Sequence, residues 1–293
     1  MSVWLIGNRG MLGREVEALL VRNRIKHLSS DLEVDICDPS ALRYFVAENR
    51  GHNIDWIVNC SGYTAVDKAE AEPEKAFRIN AEGVHNIAET AESLNAILIH
   101  ISTDYVFAGD KENEYLEDDP TDPAGVYARS KLQGEQRVQE TLSRFYILRT
   151  AWLYGTSGTN FVQTMLRLFR EQDTVRVVSD QWGSPTYAKD LAGAILQVIR
   201  SNNNRYDVYN YTNTGRTSWY EFAREIYRQA RRIGIVQRDV EIVPISTAEY
   251  PTPARRPQYS YLSKEKIKST LGVTIRSWQE ALEDCMEELK NPS

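Results

Sequence analysis

Tyr127 and Lys131 are the two residues whose types and spacing most directly suggest chemistry in this chain. On a helix, side chains four residues apart share a face, so the ammonium of Lys131 would lie near the phenol of Tyr127. An ordinary phenol has a pKa of about 10, and a nearby cation lowers that pKa because it favours the phenolate. The pair therefore predicts a general acid, although a solvated surface pair has the same spacing.

A glycine-rich turn near the N-terminus is the second candidate. It reads Gly7-Asn8-Arg9-Gly10-Met11-Leu12-Gly13 and lies between an apolar run at residues 3–6 and a helical pattern at 11–22. Glycine lets the backbone approach a pyrophosphate closely, and the free N–H groups of the following helix stabilise its charge. This context predicts dinucleotide binding over the alternative of a tight turn without a ligand.

Ser29, Ser30 and Asp31 follow the segment that we predict as the second strand, which should end near Leu28. In dinucleotide-binding folds, an acidic side chain at this point holds the 2′-hydroxyl of a ribose. The two serines could admit a 2′-phosphate, whereas Asp31 favours the unphosphorylated cofactor. NADPH and NADH therefore both stand as alternatives.

Thr103 and Asp104 follow another apolar run, at residues 97–101, so their side chains should fall at the carboxyl edge of a sheet. Ligands of open α/β sheets bind at that edge. A hydroxyl there can donate a hydrogen bond to a substrate carbonyl and stabilise developing charge. The alternative is that both side chains only satisfy turn amides. Tyr127 and Lys131 farther along the chain favour the catalytic interpretation.

Short apolar runs alternate with helical patterns over the first 150 residues. The alternation predicts an α/β fold with a doubly wound parallel sheet of the Rossmann type. We expect residues 1–150 to form the dinucleotide-binding domain. Residues 151–293 should form most of a smaller C-terminal α/β substrate region, interleaved with the first domain. The predicted strands are 3–6, 54–59, 96–102 and 145–149, the predicted helices are 11–22, 39–49, 81–95, 124–143, 160–172, 188–200, 218–232 and 277–290, and Pro244, Pro251, Pro253 and Pro257 fall in a loop-like stretch.

The composition argues against several classes of protein. The chain has 293 residues, of which 42% are hydrophobic and 26% charged, as in an ordinary globular protein. A net charge of −6 argues against a nucleic-acid partner, and no apolar run approaches the ~20 residues that cross a bilayer. Cys37, Cys60 and Cys285 are widely scattered, which predicts neither disulfides nor a zinc site. With no charged leader at the N-terminus, a reducing cytoplasm is the expected compartment.

The chain resembles the extended short-chain dehydrogenase/reductase superfamily and, within it, the dTDP-4-dehydrorhamnose reductase family. The glycine turn and the Tyr-x-x-x-Lys pattern mark the superfamily. Two segments are more discriminating because they belong to the substrate side: Asp-Gln-Trp-Gly-Ser-Pro-Thr at 180–186 and Arg-Pro-Gln-Tyr-Ser-Tyr-Leu at 256–262. Further matching stretches are residues 58–70, 102–107, 127–131, 148–154 and 160–161.

The resemblance implies a catalytic trio of Thr103, Tyr127 and Lys131, with Asp104 adjacent. Tyr127 would protonate a C4 oxygen while hydride arrives from the nicotinamide, Lys131 would bind the nicotinamide ribose and tune Tyr127, and Thr103 would orient the carbonyl. The cofactor-binding residues implied with Tyr127 and Lys131 are Gly7, Gly10, Met11, Leu12, Gly13, Ser29, Ser30, Asp31, Asp35, Ile36, Ser61, Gly62 and Thr64. The substrate-binding residues implied are Val66, Asp67, Thr103, Asp104, Tyr127, Trp152 and Arg256.

The implied reaction is the reduction, by NADPH or NADH, of the C4 keto group of a nucleotide-linked 6-deoxy sugar. Foremost is the conversion of dTDP-4-dehydro-L-rhamnose to dTDP-L-rhamnose, a precursor of cell-surface polysaccharide. The alternatives are another NDP-sugar epimerase, dehydratase or ketoreductase, or a non-catalytic cofactor-binding regulatory subunit. The implied partner is a nucleotide sugar, foremost a dTDP-linked one, with neither nucleic acid nor membrane. The protein itself is expected to be a monomer or a homodimer.

Two departures qualify the resemblance, and one histidine is predicted to be structural. Tyr63 departs from the small apolar residues that relatives carry after the third-strand asparagine. Glu15 fits one position of a magnesium site found in dimeric members, but Lys189-Asp190 differs in the later region, so no metal is predicted. His100, on a predicted buried strand, should be a hydrogen-bonded interior residue.

Overall fold

The computed structural model describes residues 1–201 and 203–291. It contains twelve strands and eleven α-helices in the described part of the chain. The strands are β1 (Ser2–Ile6), β2 (Lys26–Ser30), β3 (Trp56–Asn59), β4 (Ile97–Thr103), β5 (Phe145–Thr150), β6 (Leu153–Tyr154), β7 (Thr174–Val178), β8 (Trp182–Gly183), β9 (Thr186–Tyr187), β10 (Asp207–Asn210), β11 (Thr217–Ser218) and β12 (Glu241–Ile245). The helices are α1 (Met11–Arg22), α2 (Pro39–Glu48), α3 (Val66–Ala69), α4 (Pro73–Phe77), α5 (Gly83–Ser93), α6 (Val126–Thr141), α7 (Phe161–Glu171), α8 (Ala188–Ser201), α9 (Trp219–Arg232), α10 (Glu265–Leu271) and α11 (Trp278–Lys290).

Six parallel strands form the central sheet in the order β10-β5-β4-β3-β1-β2. Alternate residues of each strand face opposite sides, so each side of the sheet is apolar and needs a covering layer. The side that carries Val3 and Leu5 packs against α1 and α8. The side that carries Trp4 and Ile6 packs against α2, α5 and α6. The predicted doubly wound, Rossmann-type α/β fold is confirmed.

A second apolar core joins the elements that lie beside the sheet after residue 150. Phe169 of α7, Phe222 of α9 and Leu282 of α11 meet there without solvent exposure. Three two-stranded sheets, β7 with β12, β8 with β11, and β6 with β9, belong to the same region. The chain also returns to the large sheet, since β10 pairs with β5 and α8 packs on α1.

Local signals account for the positions at which several helices begin. Ser218 and Ser277 each cap a helix, and each forms a capping box with a glutamate three residues later. The predicted starts of these helices are therefore confirmed within one residue. No helix in residues 1–201 or 203–291 is both long and apolar enough to span a membrane.

Some predicted boundaries differ from the structure. The strand expected to end near Leu28 continues to Ser30. The helix expected at 81–95 is preceded by the π-helical turn Arg78–Glu82, and α5 begins at Gly83. Pro244, expected in a loop-like stretch, lies in β12 opposite Val177. Proline is tolerated there because a strand of a two-stranded sheet has a free edge.

Candidate active site

A cleft of about 930 Å³ runs along the carboxyl ends of the central strands. All six strands are parallel, so the residues that follow them meet at one edge. The predicted site residues that line this cleft are Gly7, Gly10, Met11, Leu12, Asp31, Asp35, Ile36, Ser61, Gly62, Thr64, Val66, Thr103, Asp104, Tyr127, Lys131 and Trp152. Those that the structure places outside its lining are Gly13, Ser29, Ser30, Asp67 and Arg256.

Two glycines of the glycine turn lie so close to other backbone atoms that a side chain would not fit. Gly7 has a φ of +83°, and a Cβ there would lie 2.7 Å from the backbone nitrogen of Ser61. A Cβ on Gly13 would lie 2.0 Å from the carbonyl oxygen of Gly7. Gly13 therefore packs the start of α1 against the turn instead of facing the cleft. Gly10 precedes α1 without a side-chain cap, which leaves the first N–H groups of the helix available to an anion.

The residues after β2 correct part of the sequence prediction. Ser30 is fully buried, and its Oγ accepts a hydrogen bond from Trp4 Nε1 at 2.9 Å, so it cannot face a ribose in the cleft. The Oγ of Ser29 is buried as well. Because the strand runs to Ser30, Asp31 is the first residue after β2 and the first of the three to line the cleft.

Thr103 and Tyr127 meet at the opposite end of the cleft. Thr103 Oγ1 donates to Asp104 Oδ1 at 3.0 Å and accepts from Tyr105 N at 3.2 Å. Burial raises the pKa of Asp104 to about 7, against hydrogen bonds from Ser260 and Thr103 that lower it. Burial raises the pKa of Tyr127 as well, although a hydrogen bond with Thr103 opposes the shift. Tyr127 is therefore held as a neutral phenol that can donate a proton, and Asp104 titrates near neutral pH.

Lys131 does not act on Tyr127 in this structure as the spacing predicts. Its Nζ donates to the carbonyl oxygen of Ile101 at 2.6 Å and lies 3.4 Å from His100 Nε2. Burial lowers the pKa of Lys131 to about 8, while Glu135 opposes that shift. Burial raises the pKa of the Tyr127 phenol and the ammonium does not lower it, so that part of the prediction is wrong.

His100 is buried and hydrogen-bonded, which confirms the prediction of an interior residue. Asn59 Oδ1 accepts from both the backbone N–H and the hydroxyl of Ser61, so Asn59 Nδ2 must face His100 Nδ1, at 3.1 Å. Burial and Lys131 hold the pKa of His100 well below its ordinary value. The ring is therefore held neutral between Asn59 and Lys131.

Trp152 forms the wall of the cleft beside the reacting end. Its indole stacks on Trp219 with ring centroids 3.5 Å apart, and its φ is +49°. A Cβ on Gly183 would come within 2.9 Å of the Trp152 ring and 2.7 Å of Ser260 Oγ. The segments containing Gly183 and Ser260 thus support the Trp152 ring from the C-terminal side.

Asp67 and Arg256 pair with each other instead of lining the cleft. Arg256 Nη2 donates to Asp67 Oδ2 at 2.6 Å, and Ala254 N donates to Asp67 Oδ1 at 3.2 Å. Val66, the preceding residue, does reach the cleft. The pair ties the C-terminal region to α3, which explains why two predicted sugar contacts point towards each other.

Tyr63 also lies outside the cleft lining. Its ring packs with Ala69, Ala76 and Val126, and its hydroxyl donates to Glu72 Oε2 at 3.0 Å. The departure from the family pattern at this position therefore alters packing beneath α6 and not a wall of the cleft.

The cleft contains residues that sequence reasoning missed. Arg9 was visible as a middle residue of the glycine turn, and Tyr105 as the neighbour of Asp104. Leu32 and Cys37 lie on a loop with no periodic pattern, and Thr159 comes from the C-terminal half, so no local signal could identify them. All five line the cleft.

The region around Glu15 does not fit a divalent cation. Lys189 Nζ bonds to Glu288, and Tyr187 donates its hydroxyl to the same carboxylate at 3.0 Å. Burial, followed by the charge of Glu288, raises the pKa of Glu15. An ammonium thus already balances these carboxylates, and in residues 1–201 and 203–291 no group of three or more potential ligands could hold a metal ion.

The glycine turn forms one end of the cleft, and Thr103, Tyr127 and Lys131 lie at the other end. These features place the protein in the class of nicotinamide-dependent short-chain dehydrogenases/reductases. The family described as RmlD substrate binding domain matches residues 1–291. The dTDP-4-dehydrorhamnose reductase of Escherichia coli K12 is 39% identical over 99% of this chain and 98% of its own length.

Solved structures of dTDP-4-dehydrorhamnose reductases are also similar to this chain. The dTDP-4-dehydrorhamnose reductase of Clostridium acetobutylicum has a TM-score of 0.92 and 38% identity, covering 99% of this chain and 100% of its own. The dTDP-4-dehydrorhamnose reductase of Bacillus anthracis, in complex with NADP, has a TM-score of 0.91 and 37% identity, and the match covers 98% of this chain and 99% of its own. The chain belongs to the RmlD substrate binding domain family, whose relatives named here are dTDP-4-dehydrorhamnose reductases.

Proposed function

We propose that the protein reduces the C4 keto group of dTDP-4-dehydro-L-rhamnose to give dTDP-L-rhamnose, with NADPH or NADH as reductant. The observation that carries the proposal is the meeting of Thr103, Tyr127 and Lys131 in one cleft whose other end is the glycine turn. The names of the relatives support the sugar. The product is a precursor of cell-surface polysaccharide.

Each catalytic residue of the cleft has a separate role in the proposed reaction. A bound nicotinamide supplies the hydride that reaches C4. Tyr127 donates its phenolic proton to the C4 oxygen, so the C–O double bond becomes an alcohol. Thr103 Oγ1, already bonded to Asp104 at 3.0 Å, can turn its hydroxyl towards the carbonyl oxygen and orient it. Lys131, whose Nζ is held by the carbonyl oxygen of Ile101, binds the nicotinamide ribose.

The C-terminal half supplies the sugar side. Residues 151–293 contribute most of the substrate region, and residues 1–150 hold the dinucleotide. Trp152 presents an aromatic face to the sugar, whose C–H surfaces can pack on it. Stacking on Trp219 fixes the ring for that contact.

The proposal includes a cytoplasmic location and a monomer or homodimer. Three free cysteines, Cys37, Cys60 and Cys285, support a reducing compartment. The net charge of −6 supports a small anionic ligand held by backbone amides over a nucleic-acid partner.

A cofactor-recycling epimerase or dehydratase is the alternative enzyme. It would need further acid or base groups near the sugar. Asp31, Asp35 and Asp104 are the carboxylic acids among the described residues that line the cleft, and Asp104 is the one beside Thr103. This arrangement favours simple reduction. A non-catalytic regulatory subunit would not need Thr103, Tyr127 and Lys131 together.

The test is an absorbance assay at the nicotinamide band, with purified protein and dTDP-4-keto-6-deoxy sugars. We expect NADPH or NADH to be consumed in equal amount to the alcohol formed. Turnover of the sugar without net cofactor consumption would indicate an epimerase or dehydratase. No turnover of any such sugar, together with a stoichiometric enzyme partner in a pull-down, would indicate the regulatory subunit.

A further inference from the structure

The hydroxyl of Thr103 has one hydrogen and two acceptors that compete for it. Its Oγ1 lies 3.0 Å from Asp104 Oδ1 and accepts a hydrogen bond from Tyr105 N at 3.2 Å. A threonine hydroxyl carries one hydrogen and two lone pairs, and the Tyr105 amide occupies one of those lone pairs. The single hydrogen can therefore bond either to the Asp104 carboxylate or to a substrate carbonyl oxygen in the cleft.

The carboxyl of Asp104 is enclosed in a way that allows both of its protonation states. Asp104 is 2% exposed, and its Oδ2 is buried without a hydrogen bond of good geometry to any described residue, although the Ser260 hydroxyl faces the carboxyl. Burial raises the pKa of Asp104 to about 7, so the acid and the carboxylate coexist near neutral pH. The proton of the neutral acid finds an acceptor in the free lone pair of Thr103 Oγ1.

The titratable groups that face Asp104 keep their charge states over the same pH range. Tyr105 faces it from the same loop and Tyr127 from α6. Burial raises the pKa of Tyr105 to about 12 and raises that of Tyr127 as well, so both phenols stay neutral near pH 7. Arg256, which reaches Tyr105 from the C-terminal part, is paired with Asp67. The protonation of Asp104 can therefore change by itself.

We propose that Asp104 is a positioning residue that directs the hydroxyl hydrogen of Thr103. As a neutral acid, Asp104 donates to Thr103 Oγ1, and the Thr103 hydrogen bonds to the C4 carbonyl oxygen beside that of Tyr127. As a carboxylate, Asp104 accepts the Thr103 hydrogen itself, and the carbonyl oxygen loses one of its two donors. The inference rests on the proposed function in taking a carbonyl as the group that is reduced.

The first test is the dependence of kcat on pH, with saturating dinucleotide and dTDP-4-dehydro-L-rhamnose. Asp104 is neutral below its pKa of about 7 and ionised above it, so kcat should fall as pH rises through that value. One donor to a developing oxyanion contributes about 10²–10³-fold to kcat, and we expect a fall of at least about tenfold between about pH 6 and about pH 8.5. Asp118→Asn, which changes an exposed carboxyl, is the control and should show the same fall.

Three variants assign that fall to Asp104 acting through Thr103. An asparagine cannot ionise and its amide can donate to Thr103 Oγ1 at every pH, so the fall should be at least about fivefold smaller in Asp104→Asn. Thr103→Ser keeps the hydroxyl and should keep the fall, whereas Thr103→Val should lower kcat and show little further fall. A change that arises from Lys131, whose pKa is about 8, is common to the unmodified protein and Asp104→Asn and cancels in their ratio.

The second test is infrared difference spectroscopy of the full-length protein without dinucleotide or sugar. Subtracting the spectrum of Asp104→Asn should leave the C=O stretching band of a neutral carboxylic acid at about pH 6, and the band should disappear as pH rises through about 7. In Thr103→Val the band should move to higher wavenumber, because the acid loses the acceptor of its proton.

Three results would overturn the inference: equal falls of kcat in the unmodified protein and Asp104→Asn, an undiminished fall in Thr103→Val, or no neutral-carboxyl band at the lower pH. The infrared measurement needs no sugar, so its outcome is independent of the reductase assay. A protein that shows the band and its shift in Thr103→Val, but reduces no 4-ketosugar, would refute the proposed function and leave the contact between Asp104 and Thr103 as inferred.

Discussion

Burial shifts the pKa of Tyr127 and that of Asp104 in the same direction. Burial disfavours a charge on either group, which raises the pKa of Asp104 to about 7 and raises the pKa of Tyr127 above its ordinary value. A neutral phenol is the form that can give a proton to an alkoxide. Tyr127 therefore suits the reduction of a carbonyl, because its buried phenol keeps the proton that it can donate.

Tyr127→Phe tests the proton donor. The ring and its edge contact with Tyr105, at 5.7 Å between centroids, should remain while the hydroxyl is lost. We expect kcat to fall by about 10²–10⁴-fold, with the affinity for NAD⁺ within about twofold. Tyr44→Phe, on the exposed face of α2, is the control. Unchanged turnover in Tyr127→Phe would remove this residue from the acid role.

Asp104 should make the stability of the protein depend on pH. Its folded-state pKa is about 7. The folded protein thus keeps a proton that the unfolded chain releases near its ordinary value of about 4. This stabilising contribution is complete below that lower value and is lost as pH rises through the folded-state value.

Urea unfolding of Asp104→Asn can isolate this contribution. Between about pH 5 and pH 8, we expect the unmodified protein to lose about 1–3 kcal/mol more unfolding free energy than the variant. Groups that titrate elsewhere cancel in the comparison. Equal losses in both proteins would mean that burial does not shift this carboxyl.

At the scale of elements, α6 carries the catalytic pair and is tied to the sheet by a buried ion pair. Glu135, one turn after Lys131, accepts from Arg149 Nη2 at 2.7 Å and from Ser102 Oγ at 2.5 Å. Arg149 lies on β5 and Ser102 on β4. The contact therefore sets the position of Tyr127 and Lys131 relative to the strand that ends in Thr103.

Glu135→Gln tests that connection. Removing the charge leaves the Arg149 guanidinium buried without its carboxylate, and we expect the free energy of unfolding to fall by about 2–4 kcal/mol. The matched control is Glu140→Gln on the same helix, whose exposed pair with Arg137 should contribute less than about 1 kcal/mol. A loss no larger than that of the control would show that the buried pair does not anchor α6.

Some helices and strands could be predicted from neighbouring residues in the sequence, and others could not. Alternating apolar runs and capping serines specify the sheet class and the starts of α9 and α11, because each signal lies within a few residues. The π-helical turn Arg78–Glu82 could not be predicted, since Asn80 bonds there to Tyr63 and Ser130, far apart in the sequence. Ser30 was misplaced for a similar reason: its partner Trp4 comes from another strand.

At the scale of the whole molecule, the cleft is lined by residues from both parts of the chain, before and after residue 150. Gly183 and Ser260 stand behind Trp152, and the Arg256–Asp67 pair joins the same region to α3. Residue types alone could identify the reacting end of the site. The composition of its far wall depends on how residues after 150 fold back, which short-range patterns do not encode.

Gly183→Ala tests the division between the two halves. The new Cβ would press on the Trp152 ring and on Ser260 Oγ, at 2.9 and 2.7 Å. We expect KM for the sugar nucleotide to rise by about fivefold or more, and the affinity for NAD⁺ to stay within about twofold. Gly193→Ala, where a Cβ meets nothing within 4 Å on α8, is the control. Equal effects on sugar and dinucleotide would contradict a separate sugar side.

The most direct measurement of the central claim is the fate of deuterium from a dinucleotide labelled at nicotinamide C4. With dTDP-4-dehydro-L-rhamnose as substrate, NMR of the product should show one deuterium at the sugar C4 and none elsewhere on the ring. With both hydrogens at C4 of the reduced nicotinamide replaced by deuterium, a product that carries no deuterium at the sugar C4, or that carries it at another carbon, would contradict transfer to the carbonyl that Tyr127 protonates.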